Sequence, residues 1–389
     1  TERFVLKILL IYVPSRRQTA DLPYGLLYVA SSMVEDGHQV KIIDLCLDRL
    51  TDEKLISDIK DYGPDVIGFG AITSGYRNLK QLSIKIRSRF PDTTLIVGGV
   101  VSSISRMLIE NTPVDVVVMR EGEITIKKLL NALSGSKPLS DVRGIAYRGK
   151  DGVYHENPPE EQILNMDDIP TPAYELIDIK RYCVKVADYM SWFDWGGILS
   201  NDRIEKIRAG SEYMIPIFSS RGCVNKCSFC YRHMDSVRQF SPERVIRQIK
   251  YFMVKHNIHF FQFIDELTNV SKRWCHRFCD LIDSEKLDIT YVINGARVST
   301  MDEPLLRRLK ATGCIKIGFG YESGSQVILD YIGKGVSKEQ NYKIGRLMKE
   351  VGLYDAAQIM IGFPPETAET IEETIKFLVS LAPINPSVN

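Results

Sequence analysis

The first 130 residues alternate short apolar runs with segments of helical periodicity. The apolar runs are KILLIYV, QVKIIDL, DVIGFGA, TLIVGG and DVVVM, and helical patterns such as YGLLYVASSMVEDG and YRNLKQLSIKIRSRF stand between them. Continuous apolar strands that alternate with helices predict a parallel sheet covered by helices on both faces. We therefore expect an α/β fold that begins with a doubly wound, Rossmann-like domain over residues 1–140.

Small or turn-forming residues follow three of these predicted strands. They are Thr73, Ser74 and Gly75 after DVIGFGA, Gly98 and Gly99 in TLIVGG, and Arg120, Glu121, Gly122 and Glu123 after DVVVM. Ligands of open parallel sheets bind outside the carboxyl ends of the strands, where these residues are expected. Ordinary turn formation explains each group when it is considered alone.

The periodicity weakens between about residues 141 and 210, where we expect a linker. The segment GKDG reads as a hairpin turn, and the prolines of NPPEE and DDIPTPAYEL prevent any long helix or strand. The linker contains an aromatic cluster formed by Tyr189, Trp192, Phe193 and Trp195. Packing between domains and the lining of a ligand cavity are both possible roles for this cluster.

A second series of alternating strands and helices begins at residue 211. It predicts a partial (β/α)6 barrel over residues 211–389, whose chemistry takes place at the carboxyl ends of the strands. Polar groups follow four strands, as Asp265 with Glu266, Asn294 with Arg297, Glu322 with Ser323, and Gly362 with Glu366. Because half-buried charges are costly unless they bind something, this set predicts a site. The final segment LAPINPSVN stands where a sixth strand is expected, so either the barrel is incomplete or a C-terminal region is missing.

Three cysteines lie within eight residues in RGCVNKCSFC, namely Cys223, Cys227 and Cys230. Thiolates hold [4Fe–4S] clusters, usually four at a time, so a triad implies a distant fourth cysteine or an iron open to another ligand. Zinc bound by the three cysteines and His233 is an alternative. The other cysteines are Cys46, Cys183, Cys275, Cys279 and Cys314. The helical spacing of Cys275 and Cys279 favours packing on one helix face.

The composition excludes some classes of protein. The 389 residues carry 50 basic and 49 acidic side chains, and this balance gives no reason to expect binding to nucleic acid or to an anionic membrane. The apolar run near the N-terminus is too short to span a bilayer, so we expect no transmembrane segment. Eight cysteines in such a chain, three clustered and five scattered, indicate a reducing compartment, and we expect a cytoplasmic protein.

With these residues in view, the chain resembles the cobalamin-binding radical S-adenosylmethionine (SAM) enzymes, of the class B methyltransferase type, over almost its whole length. The radical SAM signature is the cysteine triad with Phe229 before its last cysteine, followed by IDE, NGARV, GYESGS and IGFPPET at successive strand ends. The segments LPYGLLYVASSMVEDGHQVKIIDL, PDVIGF, VGG and REGE resemble the cobalamin-binding domain of the same enzymes. Two departures are visible, because Pro365 replaces a common glycine and the loop VPSRRQTAD lacks the histidine of the DxHxxG motif.

The resemblance implies three cofactors and the residues that hold them. The three cysteines would bind a [4Fe–4S] cluster whose open iron chelates SAM. The SAM-binding residues would be Phe229, Asp265, Glu266, Asn294, Arg297, Glu322, Ser323 and Gly362. The residues implied for cobalamin are Tyr24, Gly25, Thr73, Ser74, Gly98, Gly99, Val100, Arg120, Glu121, Gly122 and Glu123, with no histidine ligand from below the cobalt.

The activity that the resemblance implies is methyl transfer to an unactivated carbon or phosphorus centre, through a 5′-deoxyadenosyl radical and methylcobalamin. The substrate would be a small molecule or a peptide, and a flavodoxin or ferredoxin would supply electrons. Cyclisation or ring rearrangement on the same cofactors is a second reading. A non-enzymatic reading, as an iron–sulfur electron carrier or a cobalamin-binding module, requires a fourth cysteine at the cluster.

Overall fold

The computed structural model describes residues 5–15, 22–135, 137–189, 199, 201–231, 234, 236–381 and 386–389. The chain divides into two compact units, of which the first comprises residues 1–164 and 168–182 and the second comprises residues 165–167 and 183–389. The segment expected as a linker therefore contributes to both units. None of the described helices has the length and the hydropathy that crossing a lipid bilayer requires.

The first unit contains a seven-stranded sheet. Its strands are β1 (Lys7–Tyr12), β2 (Gln39–Asp44), β3 (Val66–Gly70), β4 (Thr94–Gly98), β5 (Val116–Val118), β6 (Ile145–Arg148) and β7 (Tyr154–Glu156). The order is β2-β1-β3-β4-β5-β6-β7, with β1 to β5 parallel and β6 and β7 antiparallel. The order 2-1-3-4-5 is that of flavodoxin-like sheets, in which the order of strand addition reverses between β1 and β3.

Helices cover both faces of this sheet. They are α1 (Tyr24–Glu35), α2 (Leu45–Asp48), α3 (Asp52–Tyr62), α4 (Tyr76–Arg89), α5 (Ser105–Asn111) and α6 (Glu123–Leu133). Alternate residues of the strands enter different cores, since Ile11 and Phe69 belong to one buried cluster and Leu10 and Ile96 to another. The doubly wound α/β architecture predicted for this half is thus confirmed.

The second unit contains another seven-stranded sheet and a separate two-stranded ribbon. The strands are β8 (Val184–Lys185), β9 (Tyr213–Ile217), β10 (Ser220–Arg221), β11 (Arg238–Gln239), β12 (Phe260–Phe263), β13 (Thr290–Ala296), β14 (Cys314–Glu322), β15 (Tyr354–Ile359) and β16 (Ser387–Val388). The large sheet has the order β16-β15-β14-β13-β12-β9-β8, and every pair except β8 with β9 is parallel.

Six parallel strands, joined by helices, form the partial barrel that the sequence predicts. The helices are α7 (Val186–Tyr189), α8 (Asn201–Arg208), α9 (Pro242–His256), α10 (Lys272–Ser284), α11 (Glu303–Ala311), α12 (Gln326–Tyr331), α13 (Lys338–Val351) and α14 (Ala368–Leu381). The sixth parallel strand is the two-residue β16, which pairs with β15.

Opposite faces of this sheet pack against different helices. Phe263 contacts Phe278 of α10 with a centroid separation of 5.6 Å. The alternate residue Phe260 belongs to a buried cluster with Ile204 and Ile207 of α8. Because neighbouring strand residues point to opposite faces, α8 and α10 lie on opposite sides of the sheet. Of the aromatic cluster expected in the linker, Trp192, Phe193 and Trp195 lie outside the described residues.

Candidate functional site

The three clustered cysteines lie on a loop, residues 222–231, which we call the Cys loop. The ribbon of β10 and β11 closes its base, since Ser220 and Arg221 pair with Gln239 and Arg238. Gly222 begins the loop with φ of +84°, and a Cβ atom there would lie 2.2 Å from the carbonyl oxygen of Ser236. Only glycine fits this position, so the local fold of the Cys loop depends on it.

The three thiols differ in their exposure to solvent. Cys227 is buried, Cys223 is half-buried and Cys230 is exposed. A turn connects two of them, because the Cys230 amide donates to the Cys227 carbonyl at 3.1 Å. Burial raises the pKa of both Cys227 and Cys230, and the positive charge of Lys334 acts in the opposite direction on each.

The donor set fits an iron–sulfur cluster. Within the described residues, no three side chains of His, Cys, Asp or Glu converge on a point where one metal ion could bind. A cubane cluster binds each cysteine through a different iron, so its ligands surround a volume instead of meeting at one atom. His233, the fourth ligand of the alternative zinc site, lies outside the described residues.

The remaining barrel cysteines lie away from the Cys loop. Cys314 is the first residue of β14 and Glu322 is the last. The eight residue steps between them place the two residues about 26 Å apart. Cys275 and Cys279 are buried on α10, and after burial itself their proximity further raises the pKa of the Cys314 thiol. These three thiols thus form a buried group of their own, as the packing hypothesis for Cys275 and Cys279 predicts.

Two adjacent carboxylates follow β12 and have different surroundings. Asp265 is buried, and its carboxylate accepts hydrogen bonds from the amides of Ser219 and Ser220 at 2.7 and 3.0 Å and from the Ser219 hydroxyl at 2.5 Å. Burial raises the pKa of Asp265 to about 6 despite these bonds. Asp265 therefore fixes the chain just before the Cys loop. Glu266 is exposed, but partial desolvation by nearby protein atoms raises the pKa of its carboxyl group. Its negative charge, after burial, also raises the pKa of Cys230.

The segment after β13 presents Arg297. The Nε atom of Arg297 is buried and has no hydrogen-bond partner among the described residues. Its backbone is held by the buried Asn269, whose amide group contacts the Arg297 nitrogen at 2.7 Å and its carbonyl oxygen at 2.9 Å. A buried donor without a partner is costly, so Arg297 fits an anionic group such as a carboxylate. Asn269 belongs to no recognised motif and precedes Arg297 by 28 residues, so the sequence alone did not indicate this contact.

Asn294 lies on β13 itself and faces the aromatic residue Tyr189. The Tyr189 hydroxyl hydrogen-bonds with Asn294 and accepts from the Gln262 amide at 2.9 Å. The Lys316 ammonium lies 5.3 Å from the centre of the Tyr189 ring. The one described member of the expected aromatic cluster thus lies against polar residues of β12, β13 and β14.

The last two strand ends contribute Glu322 and the turn at Gly362. Glu322 is buried at the end of β14 and pairs with Lys334 at 2.7 Å. The neighbouring Ser323 is also buried, but its hydroxyl contacts Thr374 of α14 at 3.0 Å, so it supports the turn. The Gly362 amide donates to the Glu366 carboxylate. The turn that contains Pro365 closes through the Glu366 amide, which donates to the Phe363 carbonyl at 2.9 Å.

Aromatic rings lie beside the Cys loop. Phe229 is partly exposed and contacts Phe363, with ring centroids 5.8 Å apart. This contact joins the Cys loop to the turn that follows β15. The carboxyl ends of the barrel strands therefore bring together the Cys loop, Glu266, Glu322 and Phe363, whereas Asp265 and Ser323 point into the protein.

The carboxyl edge of the first sheet combines exposed and buried members of the residues implied for cobalamin. Gly25, Thr73, Ser74, Gly99 and Arg120 are exposed, Gly98, Val100 and Glu121 are half-buried, and Tyr24, Gly122 and Glu123 are buried. Tyr24 packs its ring against Tyr28 and Tyr174, at centroid separations of 6.2 and 6.3 Å. The exposed members can contact a ligand directly, while Tyr24 shapes the start of α1.

Close backbone packing shapes the edge between β3 and β4. A Cβ atom on Gly99 would lie 2.7 Å from the carbonyl oxygen of Ala71, and the Val101 amide donates to that same oxygen at 3.2 Å. The loops that directly follow the carboxyl ends of β1 to β5 contain no histidine. This edge therefore offers open backbone and small side chains to a large planar cofactor, without an imidazole for its metal.

Comparisons with known proteins agree with this geometry. Residues 217–378 match the radical SAM superfamily, and residues 21–130 match the B12 binding domain. An uncharacterized methyltransferase from Pyrococcus horikoshii is 31% identical over 388 residues, which cover 97% of this chain and 78% of that protein. The anaerobic magnesium-protoporphyrin IX monomethyl ester cyclase of Rubrivivax gelatinosus is 29% identical, with 91% of this chain and 61% of that protein covered.

A solved structure shows the same fold. The radical SAM methyltransferase TsrM from Kitasatospora setae, with cobalamin and a [4Fe–4S] cluster bound, superimposes with a TM-score of 0.77 at 17% identity, covering 99% of this chain and 72% of that one. The chain belongs to the cobalamin-binding radical SAM enzymes. The cofactors of this class are a [4Fe–4S] cluster, SAM and cobalamin, and the non-enzymatic reading has no support from these relatives.

Proposed function

We propose that this enzyme transfers a methyl group to a carbon or phosphorus centre that is not nucleophilic. The observation that carries the proposal is the Cys loop, which offers three thiols while the other barrel cysteines on α10 and β14 form a separate buried group. A cluster held by three cysteines leaves one iron for SAM. The P. horikoshii relative, whose name is that of a methyltransferase, supports methyl transfer as the outcome.

The barrel residues would hold and orient SAM. When bound, the cluster supplies an electron that cleaves a carbon–sulfur bond of SAM, and cobalamin supplies the methyl group. Arg297 would donate its free Nε–H to the carboxylate of SAM, and Glu322 would accept from the amino group. Glu266, Asn294 and Gly362 lie at the neighbouring strand ends, where they would contact the nucleoside. Phe229 and Phe363 would exclude water from the reacting atoms.

In the first unit, the exposed edge residues would bind cobalamin. Thr73 and Ser74 offer hydroxyl groups, and Gly25 has open space around the position of a Cβ atom. Arg120 is exposed after β5, at the same carboxyl edge of the sheet. Its charge there suits a phosphate of the nucleotide tail. Because no histidine lies in the loops that directly follow β1 to β5, the cobalt would lack an imidazole from these loops.

Cyclisation or rearrangement is the second candidate. The observation that favours it is the 29% identity to the Rubrivivax gelatinosus cyclase. Both activities use the same cofactor sites, so the residues described above serve either one. They differ in the fate of SAM, because repeated methyl transfer converts SAM to S-adenosylhomocysteine while cyclisation does not.

The test is anaerobic reconstitution with iron, sulfide and hydroxocobalamin, followed by turnover of candidate small molecules and peptides with SAM deuterated in its methyl group. Methyl transfer predicts a labelled product, with S-adenosylhomocysteine and 5′-deoxyadenosine formed together. A product without the label, formed with 5′-deoxyadenosine alone, would support cyclisation. Cys227→Ala removes a cluster ligand and should abolish both SAM products, while the matched control Cys183→Ala should retain them.

The electron donor and the compartment belong to the same proposal. A flavodoxin or a ferredoxin is a suitable source of single electrons at low potential, and it can be tested in place of dithionite in the same reaction. The eight cysteines, all among the described residues, form no disulfide with one another. Free thiols and an oxygen-sensitive cluster suit a reducing cytoplasm, where glutathione and thioredoxin maintain such groups.

A further inference from the structure

The ion pair between Lys334 and Glu322 is unusually shielded from solvent. The Nζ and Oε1 atoms lie 2.7 Å apart, and the two side chains are only 14% and 9% exposed. Lysine and glutamate are among the residues that are least often buried. A buried ion pair adds little net stability because both partners lose their hydration, so a contribution to folding does not explain this one.

The local backbone makes room for the pair. Glu322 has φ of +65°, which is the left-handed region that residues with side chains rarely adopt. A Cβ atom on Gly320 would lie 2.5 Å from the Glu322 Oε1 atom and 2.9 Å from the Lys334 Nζ atom. Strained backbone of this kind persists where surrounding structure holds it and is concentrated at functional sites.

The turn that carries Lys334 also contacts the Cys loop. This turn follows α12, where the Lys334 amide donates to the Leu329 carbonyl at 3.1 Å. Two residues earlier, the Ile332 carbonyl accepts from the Ser228 amide of the Cys loop at 2.9 Å. One short segment therefore supports both the cluster ligands and the carboxylate of Glu322.

The charge of Lys334 lies on a turn that is fixed to the Cys loop. The Ser228 amide of that loop donates to the Ile332 carbonyl, two residues before Lys334, at 2.9 Å. A positive charge close to a group that gains an electron stabilises its reduced state.

We propose that Lys334 is a positioning residue with two effects, which rests on the function proposed above. It holds the Glu322 carboxylate in place for the amino group of SAM, and it sets the reduction potential of the cluster by fixing a positive charge beside the Cys loop. The electron itself comes from an external one-electron donor of low potential. Lys334 contacts neither substrate nor metal in this role.

The test compares four variants of the full chain after anaerobic reconstitution, without any methyl acceptor. Lys334→Met removes the charge and the hydrogen bond, Lys334→Gln removes the charge but keeps a donor, and Lys334→Arg keeps both. The control is Lys338→Met on α13, a lysine whose side chain is 39% exposed and whose partner Glu373 lies 3.8 Å away. Iron content is measured for each, and the reduction midpoint of the cluster is followed by electron paramagnetic resonance in a redox titration.

At the potential that half-reduces the wild-type cluster, Lys334→Met and Lys334→Gln should reduce the ratio of reduced to oxidised cluster about tenfold, which corresponds to a midpoint lower by about 59 mV. Lys334→Arg and Lys338→Met should stay close to wild type. Calorimetry should show SAM binding about tenfold weaker for Lys334→Met, with Lys334→Gln between the two.

Other outcomes overturn the proposal. One is an unchanged midpoint in Lys334→Met and Lys334→Gln at wild-type iron content, and another is an equal shift in Lys338→Met. If neither neutral variant retains iron while Lys334→Arg does, Lys334 is a folding residue and the tuning role is refuted. A shifted midpoint together with a failure to find methyl transfer would reject only the proposed function, because these measurements need no acceptor.

Discussion

The buried carboxyl group of Asp355 should make the stability of the barrel depend on pH. Asp355 lies on β15, where its Oδ2 atom accepts from the Tyr321 hydroxyl at 2.6 Å and its Oδ1 atom has no partner among the described residues. Burial raises the pKa of Asp355 from 3.8 to about 7. Because the folded state favours the protonated form, the barrel is expected to lose stability as the pH rises from about 4 to about 7.

The size of this effect follows from the two pKa values. The difference between a pKa of 3.8 in the unfolded chain and about 7 in the folded one lowers the unfolding free energy by about 4 kcal/mol once the pH exceeds both values. Asp355→Asn keeps an acceptor for Tyr321 but cannot ionise. The variant should therefore approach wild-type stability near pH 4 and exceed it by up to about 4 kcal/mol near pH 8.

The assay is urea denaturation of wild type and Asp355→Asn across this pH range, followed by tryptophan fluorescence. It measures the difference in unfolding free energy directly, because the effects of other titrating groups cancel between the two proteins. Asp330→Asn on α12 is the control, since this carboxylate is exposed and accepts a hydrogen bond from Gln326 at 2.7 Å. Parallel pH profiles for wild type and Asp355→Asn would show that Asp355 ionises normally, and the reasoning from burial would fail.

Three further substitutions test other parts of the structure. Gly222→Ala places a Cβ atom against the Ser236 carbonyl, so iron content after reconstitution should fall well below that of a Gly63→Ala variant, whose Cβ position at a similar positive φ is open. Asp265→Ala leaves the buried amides of Ser219 and Ser220 unpaired, and thermal denaturation should show a loss of about 2–3 kcal/mol. Tyr182→Phe removes the 2.7 Å hydrogen bond to the buried Asp44, and urea unfolding of the first unit should show a loss of about 2 kcal/mol. Wild-type stability in Asp265→Ala or in Tyr182→Phe would contradict the role assigned to that residue.

The regular elements could be predicted because local signals agree with the fold. Helix α9 occupies Pro242–His256 because Pro242 opens it, the Ser241 hydroxyl accepts from the Arg244 amide at 3.1 Å, and Asn257 ends it in the left-handed conformation. The two-residue strands β10 and β11 were not predicted, since they are too short to show periodicity. Helices α7 and α8 were missed within a stretch that the prolines marked as irregular.

The roles of individual site residues were harder to predict than the strand ends that carry them. Asp265 and Glu266 are adjacent in the sequence, yet one carboxylate bonds to Ser219 and Ser220 while the other reaches solvent. A strand end identifies a position but does not determine where each side chain points, because that depends on a segment some 45 residues away. Asn269 was overlooked for the same reason, since its function is a contact that only the folded chain creates.

The division of the chain has a practical consequence for dissecting this enzyme. A fragment cut at residue 140 would lack β6 and β7, expose the backbone edge of β5, and leave the buried Asp44 without Tyr182. An unpaired strand edge invites aggregation. Expression of the cobalamin-binding half on its own should therefore extend to Tyr182, and a protease site engineered near residue 140 would divide a folded body instead of separating two.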